Sequence, residues 1–240
     1  NAGFETSILN LEDSKKHERF EEYSQKLQKV PMMGQSGKGV NRYYNELCFY
    51  RWLAMVTAGG GWMSDYDVFP LHPILEEDKD PSLKDNNSMQ IEGKDFTVYS
   101  VVIGSITAGI PCLMFGSAKE WERMAFAILE NGLQKAQEDP TLNMWTDMFA
   151  LMDLRFKPGT YMTRDHVLPG HLVLLGRPWE ERDCNVTSGQ RAVHFSHDAM
   201  NRGIFDNEED KNASRRPFVV QDWTSQWERV CQSGSTNAVL

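Results

Sequence analysis

Three consecutive glycines, Gly59, Gly60 and Gly61, divide two segments of opposite character. Before them, Asn45 to Ala58 is a run of helical rhythm, with Leu47, Phe49, Tyr50, Leu53 and Met55 apolar on most sides. After them, Trp62-Met63-Ser64-Asp65-Tyr66-Asp67-Val68-Phe69-Pro70-Leu71 is short, apolar and punctuated by two carboxylates. A glycine just past an apolar helix is a stop signal, and a run of three permits backbone conformations closed to other residues. The chain must therefore fold as a buried helix, a turn and a strand leaving the turn. In an extended segment residues i and i+2 share a face, so Asp65 and Asp67 are expected to converge along that strand. Arg51, inside an otherwise apolar helix, is expected to have an anionic partner, because Arg is seldom buried alone.

The same alternation runs through the chain. Thr6–Leu11 reads as a short strand, and Glu12–Lys29 is charged and helical in rhythm, with Phe20, Tyr23 and Leu27 at spacings of three and four. Gly34, Gly37 and Gly39 mark a loop, with Lys38 and Arg42 within reach of a phosphate, and Asn41 is placed to cap the following helix. Glu76–Ser88 is an acidic loop. Phe96–Ile103 and Ile110–Phe115 read as strands. Ser117 caps a helix to Gln137 whose Trp121, Met124, Ala125, Ile128 and Leu129 share a face, and a second helix is expected near Leu142–Leu154. Gly170–Leu175 and Arg191–Phe195 read as further strands. Strands alternating with helices point to an α/β fold, a mixed sheet flanked by helices, in a single domain of 240 residues.

Bulk properties exclude several classes. A net charge of -9 argues against nucleic acid as a partner, which calls for a basic footprint. Phe96–Gly116 is the most apolar long run, but Ser100, Ser105, Thr107 and Pro111 interrupt it, so no transmembrane segment is expected in this chain. No signal peptide is recognisable, and the start at Asn1 points to a segment cut away upstream. Cys48, Cys112, Cys184 and Cys231 lack zinc-site spacing; one disulfide, two, or four free thiols are all compatible with it. The sequons at Asn86, Asn185 and Asn212 point to the secretory pathway, with a cytoplasmic site as the alternative.

Chemistry concentrates in three places. Asp65 and Asp67 offer hard oxygen ligands to Mn²⁺ or Mg²⁺. Ala192-Val193-His194-Phe195-Ser196-His197 reads as a strand end with two imidazoles, either a ligand source or a strand cap with a solvated neighbour. Asp147 opens a helix, where a carboxylate suits the dipole; Asp153 is its rival for a catalytic role. Trp62 is open between a core position and a stacking surface. Ser105 and Ser117 lack a nucleophile-elbow context, and Asp165-His166 has no identifiable partner.

Tyr44 to Leu71 resembles the sugar-binding region of glycosyltransferases that carry a DXD motif on the GT-A fold, and is similar to the family-32 group. The pattern is an Arg in an apolar helix, Gly-Gly, three residues, Asp-x-Asp, an apolar residue and Pro-Leu. Gly60 and Gly61 take the family glycines, Met63 stands where a Tyr is usual, and Cys48 stands where an Asp commonly precedes the Arg. The match covers about 28 residues of this chain. It implies a metal-dependent transferase, retaining the anomeric configuration, that moves a hexose from a UDP- or GDP-sugar to a glycan or other hydroxyl acceptor; the three sequons point to the Golgi lumen as its place, with any anchor upstream. Asp65, Asp67 and His194 would hold the metal. Arg51, Gly60, Gly61, Trp62, Asp65 and His197 would line the donor site, and Asp147 with Asp67 would serve catalysis. By the same resemblance Ala2–Thr6 leads into the second strand of such a fold, the first lying upstream. The alternatives are an inactive or truncated carbohydrate- or nucleotide-binding module and, less well supported by grouped ligands, a metal-dependent phosphohydrolase.

Overall fold

The computed structural model describes residues 6–32, 42–71, 96–103, 106–157 and 159–232. The Ala2–Thr6 lead-in up to residue 5, the Gly34–Gly39 loop with Lys38, the Asn41 cap, the Glu76–Ser88 loop with its Asn86 sequon, and Ser105 lie outside them.

Seven α-helices can be numbered along these residues: α1 (Leu11–Ser14), α2 (Phe20–Leu27), α3 (Arg42–Thr57), α4 (Ala118–Glu138), α5 (Asp147–Leu154), α6 (His197–Arg202) and α7 (Arg216–Trp227). The strands are β1 (Gly60–Ser64), β2 (Val68–Pro70), β3 (Thr97–Ile103), β4 (Ile106–Ser117), β5 (Met162–Pro169) and β6 (Ala192–His194). They form one sheet in the order β1-β4-β3-β5-β6-β2. The β3–β5 and β5–β6 pairs are parallel and the other three antiparallel. The protein is thus mixed α/β.

The glycine triplet does what its position demands. Gly59, Gly60 and Gly61 have φ of 94°, 82° and 104°, a region L side chains rarely enter. Gly59 closes α3, its N–H reaching Val56 O at 3.0 Å. At Gly60 a Cβ would lie 2.4 Å from the Ala118 backbone nitrogen, so β1 can approach the β4–α4 junction only as glycine.

β1 and β2 occupy opposite edges of the sheet, yet only Asp65-Tyr66-Asp67 joins them. Six strands laid flat would separate those edges by roughly 24 Å, whereas the link from Ser64 to Val68 reaches at most about 14 Å. The sheet must therefore bend hard. Register shifts interrupt the pairing between Tyr99 and Val101 against β4 and between Ser100 and Val101 against β5, and irregularities of this kind bend a strand. The acidic pair sits in the link itself.

Three apolar clusters hold this frame. The largest packs α3 and α4 onto the sheet, with Trp52, Trp121, Phe96, Val98 and Met114 fully buried. The Phe96 ring lies 4.6 Å from Trp121 and 5.5 Å from Trp52. The apolar face expected of α4 is the face that is buried, and Ser117 caps this helix by accepting from the Glu120 N–H. A second cluster joins β2 and β6 to α7 through Phe195, Trp223 and Trp227. A third gathers Cys112, Val167 and Ala192 from β4, β5 and β6.

Four expectations are corrected or refined, for local reasons. Thr6–Leu11 is no strand: Asn10 accepts from the Glu12 N–H at 2.8 Å and starts α1. Glu12–Lys29 is two helices, because the His17 ring accepts from the Arg19 N–H at 3.1 Å and diverts the helical ladder. The Leu142–Leu154 helix begins only at Asp147, where Thr146 caps it, while Trp145 N–H donates to Pro31 O at 2.6 Å. Gly170–Leu172 is a 3-10 turn, and the strand is Met162–Pro169 before it. A Cβ on Gly170 would meet Phe195 at 2.8 Å, which fixes the tight exit from β5.

Candidate metal centre

Each arm of the acidic link is pinned by backbone. Asp65 N–H donates to Cys112 O of β4 at 2.8 Å, and Asp67 O accepts from Phe195 N–H, just past β6, at 2.8 Å. Val68 N–H returns to Asp65 O at 3.1 Å, so Asp65 to Val68 is a turn and not the extended segment expected. The carboxylates converge across a turn that spans the two sheet edges, not along one strand. Register then delivers His194, which pairs directly with Val68. Among the described residues Asp65, Asp67 and His194 each offer one ligand atom, all within 4.8 Å of one another. His194 Nε2 lies 3.3 Å from Asp67 Oδ1.

Two carboxylate oxygens and one imidazole form a donor set that could hold a metal ion. Electrostatics fits as well. Burial raises the Asp65 pKa from its ordinary value; Arg51 works against this and the nearby Asp67 charge adds to it. A cation among these oxygens would relieve that repulsion.

Two guanidinium groups already stand here. Arg51 Nη1 donates to Asp65 Oδ1 at 2.8 Å and its Nη2 to Asp147 Oδ2 at 2.7 Å. Burial works against the Arg51 charge, but the attraction of Asp147 and then Asp65 outweighs it and raises its pKa. The expected partner for a cation in this helix is thus a pair of carboxylates. Arg216, at the start of α7, donates from Nη1 to Asp67 Oδ2 at 2.7 Å and to the Tyr66 hydroxyl at 3.3 Å. Nothing in Ser214-Arg215-Arg216-Pro217 marked Arg216 beforehand; only folding brings it across 149 residues to Asp67.

The remaining residues divide. Asp147 is 3% exposed and accepts from Arg51, from Trp52 Nε1 at 3.2 Å and from Met148 N–H at 2.8 Å. It belongs to the site through Arg51. Its rival Asp153 accepts from the Asn131 amide at 2.7 Å and pairs with Lys135 at 3.2 Å, outside the group. Trp62 packs 5.0 Å from both Tyr99 and Phe115, beside the third cluster. Gly61 has open space at its Cβ position, and its carbonyl accepts from Trp121 Nε1 at 3.1 Å. His197 is exposed at the start of α6 and is not part of the group. Tyr44 and Cys48 rise one turn apart on α3 toward Arg51. The Cys48 charge pushes the Tyr44 pKa up to about 12, and burial pushes the Cys48 thiol up to about 12.

A separate cavity of about 390 Å³ is lined by Trp179, Ile204, Arg215, Phe218, Trp223 and Gln226 among others, but not by the metal-centre residues. Cys184 and Cys231 form a disulfide, and Cys48 and Cys112 are free. Among the described residues no helix is long and apolar enough to cross a membrane. No protein-family model, curated protein or solved structure matches the chain.

Proposed function

We propose that the protein is a metal-dependent glycosyltransferase on a GT-A-like fold, moving a hexose from a UDP- or GDP-sugar to a glycan or other hydroxyl acceptor with retention. The observation that carries this reading is the convergence of Asp65, Asp67 and His194 from two sheet edges onto a space of metal-site dimensions. A bound divalent cation supplies Lewis acidity and neutralises a diphosphate leaving group. Asp65 and Asp67 bind and orient it, and His194, the third ligand, is held by its β-sheet pairing to Val68. Asp147 acts as a positioning residue: it fixes Arg51, and Arg51 fixes Asp65. The Cys184–Cys231 disulfide and the sequons at Asn185 and Asn212 support a secretory compartment such as the Golgi lumen.

One observation favours a second reading. Asp65 and Asp67 are already paired with Arg51 and Arg216, as in an ion-pair network of an inactive nucleotide- or carbohydrate-binding module. Both readings face one experiment: melting temperature and donor turnover with Mn²⁺ and a panel of UDP- and GDP-sugars, for the wild type and Asp67→Asn. The transferase reading expects Mn²⁺-dependent stabilisation and turnover by the wild type, both lost in Asp67→Asn. Stabilisation without turnover selects the module, and turnover retained by Asp67→Asn refutes the transferase reading.

A further inference from the structure

Arg216 is placed unlike any other cation in the site. Arg51 divides its guanidinium between Asp65 and Asp147, one ligand carboxylate and one buried anchor. Arg216 engages a single carboxylate, Asp67, and takes the oxygen that His194 leaves: Oδ2 faces Arg216 and Oδ1 faces His194. Both partners are nearly enclosed, with side-chain exposures of 11% for Arg216 and 10% for Asp67. The second Arg216 contact is the hydroxyl of Tyr66, a residue 92% exposed. Its Nε, like that of Arg51, has no hydrogen-bond partner among the described residues. The tie between Arg216 and Asp67 is therefore strong but incomplete.

The local charge count makes the consequence plain. Asp65, Asp67 and Asp147 bring three negative charges, and Arg51 and Arg216 bring two positive ones. A divalent ion drawn to Asp65, Asp67 and His194 would lie within a few ångströms of the Arg216 guanidinium, where like charges repel strongly at partial burial.

We propose that Arg216 is the site's resident counter-cation: it holds Asp67 when no metal is bound, gives Asp67 up to a divalent cation, and then pairs with the diphosphate that accompanies that cation. This rests on the metal-site reading above. Release of Asp67 requires the Arg216 side chain to turn away from it at the first residue of α7. A displaced guanidinium in so enclosed a site needs a new anion, and two oxygens of a diphosphate bound at the neighbouring metal can accept from its planar N–H fork. Metal and diphosphate then bind with positive coupling, each removing part of the cost of the other. Metal alone binds poorly because it must strand Arg216.

The test is a calorimetric titration of Mn²⁺ into the full chain, with and without UDP and corrected for the Mn²⁺–UDP complex in buffer. Wild type is compared with Arg216→Gln, Arg216→Met and the charge-conserving Arg216→Lys, each checked for folding by circular dichroism. The expected result is that folded Gln and Met variants bind Mn²⁺ alone at least tenfold more tightly than the wild type, while the Lys variant stays near it. UDP should tighten Mn²⁺ binding at least tenfold in the wild type and far less in the Gln and Met variants. Equal or weaker Mn²⁺ binding by a folded neutral variant overturns the proposal while the metal site stands. So does a wild type whose Mn²⁺ affinity is indifferent to UDP, a measurement that needs no variant. Silence toward Mn²⁺ in every protein, with or without UDP, overturns the metal site and this proposal together.

Discussion

Replacing Arg51 with Met keeps most of the stem volume and removes the charge that links Asp65 to Asp147. The two halves of the link are unequal. Asp147 has a side-chain exposure of 4%, so its carboxylate depends on protein donors. Losing one partner of a buried ion pair costs about 3–5 kcal/mol. The low end applies here, because Trp52 Nε1 and Met148 N–H still donate to Asp147. Asp65 is 29% exposed, and its half of the link is worth about 1 kcal/mol or less after solvent screening. Arg51→Met should therefore lose about 3–4 kcal/mol, a fall in melting temperature of roughly 6–16 °C for a chain of this size. Chemical denaturation monitored by tryptophan fluorescence reads the free energy directly. Asp147→Asn in the Arg51→Met background removes the stranded charge. The double variant should recover about 2 kcal/mol relative to the sum of the single losses. A loss below about 1 kcal/mol for Arg51→Met, or strict additivity in the double variant, would refute the account of Arg51 as a buried bridge.

Other consequences can be checked the same way. Gly60→Ala should destabilise far more than Gly61→Ala: both need positive φ, at about 1–2 kcal/mol, but only Gly60 would also drive a Cβ into the β4–α4 backbone. Equal losses in a denaturation comparison would count against the close approach. Removing the Cys184–Cys231 bridge by paired Ser substitutions frees a segment of 47 residues. It should cost up to about 4 kcal/mol by the chain-entropy estimate, and an unchanged denaturation midpoint would speak against the bridge. The bidentate Arg177 pair holds the Asp183 pKa down to about 2, below the ordinary aspartate value of 3.8. Because the folded value is depressed, this contribution is present above about pH 4 and is lost as pH falls toward 2. Asp183→Asn should remove that part of the acid-side slope and cost under about 1 kcal/mol at pH 7, since Arg177 is partly exposed.

Local patterns in the sequence carried the helices well. The stripe on α4, the Ser117 cap, the burial of α3 and the need for an anion beside Arg51 all follow from spacing within one turn or two, and all are present. The strands were legible where apolar residues run together, as in β3, β4 and β6. They were not legible in β5, whose Thr163-Arg164-Asp165-His166 centre looks like a loop until β3 pairs alongside it. Thr6–Leu11 failed in the opposite direction, since its apolar residues have no strand to pair with among the described residues and Asn10 offers a helix start instead.

The sequence by itself determined the glycine triplet, the two carboxylates after it and the Arg-bearing helix before it. Side-chain chemistry and backbone freedom are properties of short segments, so those features hold in any fold the chain adopts. Tertiary structure alone decided that the Asp65–Asp67 link closes a bent sheet, that pairing with Val68 lifts His194 to it, and that Arg216 stands against Asp67. These are contacts between segments distant in the chain, set by sheet register and by the burial of α7 against Phe69 and Phe195. No local pattern encodes a register between distant strands, because the free energy that selects it comes from the whole buried surface and not from the residues that end up in the site.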